Sequence, residues 1–193
     1  MKHGKRRRKR GNYKDSRGII KDRVPISERP KVVEQRTRIG DIEVDLMMGK
    51  NHKSALLVLT DRATLLTAIE RVESKDASIV AQAIIKKLSV VNNSWIKTLT
   101  YDNGKEFTQH KLIAKKIGVK SYFTRPYTSQ DKGTVENRIG VIRRFFPKKT
   151  DLRNVDPNYI KQVERSINNR PIRKFNYFSP IEVLKNKCVA FIG

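Results

Sequence analysis

The chain has 193 residues, with 43 Lys and Arg against 19 Asp and Glu for a formal net charge of +24, and 37% of its residues are hydrophobic. That charge excludes an ordinary neutral enzyme, while the length and apolar content suit one core-forming domain with tails and exclude wholesale disorder. Apolar runs such as Ala55 to Leu59 fall far short of the ~20 residues of a membrane span, no apolar stretch follows the basic N-terminus as in a secretory signal, and a single cysteine, Cys188, with three scattered histidines excludes an internal disulfide and a structural zinc site. The expectation is a soluble, non-secreted protein in which any metal is held by oxygen.

The charge is unevenly placed. Residues 1–40 carry 15 basic and 4 acidic groups, residues 41–107 carry 9 of each, and residues 108–193 carry 19 and 6. A neutral block thus lies between two basic ones, a pattern that suits a polyanion partner, because each phosphate neutralised releases a condensed counterion.

In chain order, residues 1–40 lack hydrophobic period, contain the run Lys5 to Arg10 and are broken by Pro25 and Pro30, which predicts a basic, largely irregular arm. From Asp41 the pattern changes: Ile42, Val44 and Leu46 alternate with Asp41, Glu43 and Asp45, a period of two that reads as a strand with its acids on one face. Ala55 to Leu59 and Leu65 to Val72 read as two more strands, completing an antiparallel meander. Ser74 or Asp76 caps the next helix, whose Ala77, Val80, Ala81, Ile84 and Leu88 share a face, and the turn Asn92-Asn93-Ser94 follows. Ile96 to Tyr101 is a short strand ending in Asp102-Asn103-Gly104, Thr108 to Ile117 is a helix closed by Gly118, and residues 120–130 hold a further extended piece and a loop at Pro126. Lys132 to Phe146 reads as a helix buried through Val135, Ile139, Ile142 and Phe146 and stopped by Pro147; helical stretches from Pro157 to Asn168 and Pro180 to Lys187 close the chain. Three antiparallel strands followed by alternating helix and strand predict an α/β fold with a five-stranded mixed sheet covered by helices. The expected organisation is an arm over 1–40, a core over 41–150 and a helical extension over 151–193 packed on it.

Three acids stand where such a fold could gather them: Asp45 on the first strand, Asp102 at the end of the fourth, and Glu136 on the following helix. Glu136 is rotated about 100° from Val135 and so sits at the rim of the buried stripe, with Gly140 one turn on and Arg143 and Arg144 beyond, a face along which a phosphate could lie. Two-metal phosphodiester chemistry needs a few carboxylates holding hard cations about 3.5–4 Å apart, and magnesium prefers carboxylate and water oxygens. Asp41 and Glu43 share the parity of Asp45, so the strand pattern alone does not choose among them.

The wording around these acids is more specific than their spacing. Gly40-Asp-Ile-Glu-Val-Asp-Leu-Met-Met-Gly49, Tyr101-Asp-Asn-Gly-Lys-Glu-Phe107 and Lys132-Gly-Thr-Val-Glu-Asn-Arg-Ile-Gly140, with 33 residues between Asp102 and Glu136, resemble the catalytic core of the IS-thirty family of bacterial insertion-sequence transposases, within the retroviral integrase and DDE transposase superfamily of ribonuclease H-like fold. Further matches are Tyr122-Phe-Thr-Arg-Pro-Tyr127, Ile142-Arg-Arg-Phe-Phe-Pro-Lys148, Asn168-Asn-Arg-Pro171 and Ser179-Pro-Ile-Glu182. The resemblance implies that Asp45, Asp102 and Glu136 are a metal-binding catalytic triad for two Mg2+ ions, or Mn2+, that hydrolysis frees a 3′-hydroxyl at the element end, and that this hydroxyl then attacks target DNA with no covalent protein intermediate. It makes Asn137, Arg143, Arg144, Lys148 and Arg170 candidates for contact with double-stranded DNA. It further implies a homo-oligomer when active, no membrane or small-molecule substrate, and a bacterial cytoplasmic, nucleoid-associated setting. Ile42 stands where the family commonly has Trp, and Gln130-Asp131-Lys132 replaces its usual Trp-Glu-Arg. Residues 1–40 lack the two helical periods of the family's helix-turn-helix, an expectation of a truncated copy, an isolated core or part of a split pair. Two other readings share these residues: a catalytically silent DNA-binding or regulatory fragment, and a nuclease acting on RNA–DNA hybrids.

Overall fold

The computed structural model describes residues 20–91, 93–126 and 129–189. The Lys5 to Arg10 run, with the rest of the predicted arm before residue 20, lies outside the described residues, as do Asn92 of the predicted turn and Tyr127 of the Pro126 loop. The elements follow in the order β1 (Asp41–Met48), β2 (Ala55–Asp61), β3 (Thr67–Val72), α1 (Ala77–Ser89), β4 (Thr98–Tyr101), α2 (His110–Ile117), β5 (Lys120–Phe123), α3 (Gly133–Ile142), α4 (Pro157–Asn169) and α5 (Pro180–Val189).

The five strands form one sheet in the order β3-β2-β1-β4-β5. β1, β2 and β3 pair antiparallel, whereas β4 joins β1, and β5 joins β4, in parallel. This is the mixed sheet the element order predicts, and helices lie on both faces. The period of two in β1 divides the core. Ile42, Val44, Leu46 and Met48 face a cluster that includes Leu57, Leu59, Val80, Ile84, Leu99 and Ile113 under α1 and α2. Met47 faces the opposite cluster, with Leu56, Val58, Ile69, Val135, Ile142, Ile160 and Val163 under α3 and α4. Asp41, Glu43 and Asp45 share parity with Met47, so the acids of β1 point to the face that α3 covers, Glu43 directly beneath it at the Val135 amide. β2 is covered on both faces and buried along its whole length.

Local chemistry explains the element ends. Asp76 caps α1 by accepting the Ser78 amide at 2.8 Å, and Asp156 caps α4 in the same way from Asn158 at 2.8 Å. Gly118 closes α2 at φ +78°, which only glycine adopts freely, and its amide bonds the Ala114 carbonyl at 2.8 Å. Before β1, Gly40 adopts φ +94° with the Trp95 carbonyl oxygen 1.7 Å from where a Cβ would lie, so no side chain fits there. The predicted third strand starts two residues late because Leu65, at φ +61°, belongs to the turn held by the Asp61 carboxylate. The helix predicted from Lys132 to Phe146 is regular only to Ile142 and ends in tighter turns that still bury Phe146.

Both sheet edges are covered in part. On β3, the Asn168 side chain of α4 acts as a one-residue strand, accepting the Thr67 amide at 2.9 Å and donating to the Thr67 carbonyl at 2.7 Å, while Glu164 accepts the Ile69 amide at 2.5 Å. On β5, the Phe123 amide bonds the Val24 carbonyl at 2.9 Å and Pro25 bridges to Phe123. The described part of the segment read as an arm therefore lies against the sheet, with Ile20 and Val33 buried. Covered edges remove the unpaired N–H and C=O groups that invite pairing between chains.

Candidate active site

The register of the parallel pair β1 and β4 positions two aspartates. Glu43 lies opposite Thr100, so two residues further along each chain come Asp45 and, just past the end of β4, Asp102. Their carboxylates meet at a side chain from another element, the ammonium of Lys132 at the entry to α3. Lys132 Nζ is 3.2 Å from Asp45 Oδ2 and 3.3 Å from Asp102 Oδ2, and it donates to the Val44 carbonyl at 3.3 Å. The remaining carboxylate oxygens are also satisfied: Asp45 Oδ1 accepts the Leu46 amide at 2.8 Å and Asp102 Oδ1 accepts the Gly104 amide at 2.9 Å. The Lys132 side chain is 5% exposed, that of Asp45 19% and that of Asp102 40%, so the pair opens to solvent on the Asp102 side.

Burial pushes the Asp45 carboxyl above its ordinary value, with Lys132 opposing and Asp102 adding to the rise. Glu136, on the exposed face of α3, is also pushed up, by desolvation first and then by the charges of Asp45, Glu43 and Asp102 against the pull of Lys132. The third acid is therefore within electrostatic range of the other two. It is not drawn into a ligating cluster: among the described residues, no group of three or more His, Cys, Asp or Glu side chains is arranged to hold a metal ion. The donor set nonetheless suits a hard cation, since two carboxylates and a carbonyl already surround one.

Two more residues bear on the site's electrostatics that the sequence pattern does not mark out: Lys132, which touches both aspartates, and Glu106, which does not touch them. The sequence offers Lys132 as a helix start, as the head of a family block and as a departure from Trp-Glu-Arg, but not as part of the site, because nothing in a linear pattern shows where a flexible lysine ends. Glu106, inside the Tyr101 to Phe107 block, is half-buried and raised by burial and by the charges of Asp102 and Asp45. Its carboxylate folds back to within 2.5 to 2.7 Å of the position a Cβ would take on Gly104, and its place four residues after Asp102 was the available clue.

The other acids of β1 are committed elsewhere. Asp41 accepts both Arg38 Nε at 3.0 Å and Arg38 Nη2 at 2.6 Å, and the Thr98 hydroxyl at 2.8 Å. Glu43 is fully buried; it accepts Arg62 Nη1 at 2.5 Å and the Val135 amide at 2.8 Å. The second bond takes up one of the orphan amides of α3, whose N-cap residue, Lys132, supplies no side-chain cap. Arg62 continues to Glu34 at 3.1 Å, which pairs with Arg29, and Arg29 reaches the Thr100 hydroxyl at 2.9 Å.

Of the residues marked for DNA contact, Asn137, Arg144, Lys148 and Arg170 are exposed. Arg143 is partly buried and donates to the Met48 carbonyl at 2.8 Å, which ties the end of α3 to the end of β1, and burial lowers its pKa. The Lys132 turn is braced by Asp131, which accepts Arg125 Nη2 at 2.9 Å and the Arg125 amide at 3.0 Å.

A five-stranded mixed sheet of this order with helices on both faces is a ribonuclease H-like fold, and residues 38–129 match the integrase core domain family. A chain of the cryo-EM structure of the simian T-cell lymphotropic virus intasome in complex with PP2A regulatory subunit B56 gamma shares the fold at a TM-score of 0.60 and 14% identity, over 86% of this chain and 55% of that one. At the sequence level, the transposase for insertion sequence element IS4351 of Bacteroides fragilis is 44% identical over 98% of this chain and 59% of its own length. Transposase InsI for insertion sequence element IS30A of Escherichia coli (strain K12) is 34% identical over 96% of this chain and 48% of its own. The chain belongs to the IS30 family of insertion-sequence transposases and carries the integrase core; it spans 59% and 48% of the length of these two relatives. Among the described residues no helix is long and apolar enough to cross a membrane.

Proposed function

We propose that the chain is the catalytic core of a metal-dependent transposase, cutting phosphodiester bonds at the ends of a DNA element and joining the freed 3′-hydroxyl to target DNA. The observation that carries this reading is the convergence of Asp45 and Asp102, from two parallel strands, on a single buried cation beside Glu136. In this reading Asp45, Asp102 and Glu136 would be the residues that hold Mg2+, or Mn2+. The bound ions supply activation of the attacking oxygen and neutralisation of charge on the leaving oxygen. Glu43, through the Val135 amide, and Arg143, through the Met48 carbonyl, fix the two ends of α3 over β1 and so set the height at which Glu136 stands. Asn137, Arg144, Lys148 and Arg170 present exposed polar and basic groups to the backbone of double-stranded DNA, where each neutralised phosphate adds to affinity.

The test uses supercoiled plasmid carrying the element ends, Mg2+ and three proteins: wild type, Asp102→Asn and Glu136→Gln. The expected result is nicking and strand transfer by wild type only. Equal activity in all three overturns the triad. Binding without cleavage by wild type favours a silent DNA-binding fragment, and cleavage confined to an RNA–DNA hybrid favours a ribonuclease.

A further inference from the structure

The Lys132 ammonium has three oxygens within 3.3 Å: it donates to Asp102 Oδ2 and to the Val44 carbonyl and forms an ion pair with Asp45 Oδ2. Its position at the start of α3 opposes the helix dipole, which disfavours a cation at an N-terminus, so the carboxylates are what hold it there. The ammonium is a point charge on a flexible four-carbon stem. The next residue, Gly133, has open space where a side chain would be, and Asp102 is partly exposed. The cation is itself buried, but the carboxylate pair that holds it opens to solvent at Asp102.

We infer that Lys132 is a built-in competitor for the divalent ion: its ammonium holds Asp45 and Asp102 together until metal binds, and it is displaced when metal enters. The inference rests on the metal reading proposed above. Lys132 acts through the two aspartates and is a positioning residue. Without it, two carboxylates at one site repel each other and Asp45 loses its charge partner; with it, metal must evict a positive charge, which weakens binding.

The test is a titration of Mn2+ followed by the electron paramagnetic resonance signal of the free ion, for wild type, Lys132→Met and Lys132→Arg. Removing a unit charge at this distance is expected to tighten Mn2+ binding at least about tenfold in Lys132→Met, whereas Lys132→Arg, which keeps the charge on a fork that pairs more firmly with carboxylates, binds no tighter than wild type. A merely structural lysine would leave the affinity unchanged or weaken it on removal. The second measurement needs no variant: acetic anhydride labelling of wild type, read by mass spectrometry, is expected to show Lys132 protected in chelator and labelled severalfold faster in saturating Mg2+, while exposed Lys148 labels equally in both. Equal Mn2+ affinity in wild type and Lys132→Met, or Lys132 labelling indifferent to Mg2+, overturns the inference and leaves the metal reading standing. Mn2+ bound by neither protein overturns both.

Discussion

Along a single face of β1, two neighbouring acids are treated in opposite ways. Glu43 is fully buried, held by the guanidinium of Arg62 and a backbone amide, and tied through Glu34 and Arg29 into a network that staples residues 29–34 to the sheet. Asp45, two residues on, is at the rim, with a raised pKa and a lysine ammonium that it shares with Asp102. A planar, always-charged arginine fork suits a permanent bond, whereas a lysine on a flexible stem suits one that can be exchanged. The same functional group on the same surface is thus locked into architecture at one register and, in the proposed function, used for chemistry at the next, and the partner sets the difference.

The comparison is broken most severely by changing the exchangeable pair. Asp102→Asn is expected to lower Mg2+-dependent DNA cleavage by about three orders of magnitude or more with the circular dichroism spectrum and melting temperature near wild type, because Asp102 is partly exposed. Arg62→Met should do the reverse, costing about 3–5 kcal/mol in urea unfolding, since it leaves Glu43 buried without its counter-charge; an unfolding free energy within about 1 kcal/mol of wild type would show that the two acids are not so different. Asn168→Ala, which strips the amide and carbonyl of Thr67 of their partners, is expected to cost about 2 kcal/mol and to expose the β3 edge, measured as concentration-dependent aggregation alongside stability.

Smaller effects sharpen the contrast. Asp45 and Glu136 both have raised pKa values, so each takes up a proton at higher pH than a free carboxylate. In the proposed mechanism cleavage and Mg2+ binding require the ionised forms, and the acid limb of the pH–rate profile is expected above the ordinary carboxylate pKa of about 4. Lys132 lowers both values, so Lys132→Met should move that limb further up; a limb at the ordinary value in both proteins would refute it. The least effect belongs to the surface: Lys148→Ala should weaken binding to all duplex sequences alike and reduce the slope of log affinity against log salt by about 1, and an unchanged slope would remove Lys148 from the DNA path.

Much of this was legible in the sequence because the deciding rules are local. Alternation in β1 put the three acids on one face, the helical stripe of α3 placed Glu136 at its rim, and Asp102 fell at the end of a strand by its own turn chemistry. The helix from Lys132 was drawn too long because burial of Phe146 continues in tighter turns after the regular hydrogen bonding stops at Ile142. Asn168, which the sequence offers as a helix end and as part of a family block, is an edge cap, a role that depends on a strand about a hundred residues away.

By itself the sequence determined the order of strands and helices, the mixed character of the sheet and the short set of acids from which a site could be built, since periodicity and turn residues act over a few neighbours. Only the tertiary structure decided which acids stand free of permanent partners. That choice depends on the β1–β4 register and on where α3 crosses the sheet, which together bring Lys132, Asp45 and Asp102 to one point from three separate stretches of chain. A flexible lysine side chain leaves no periodic trace of its destination, and so the cation at the centre of the site was visible only once the chain was folded.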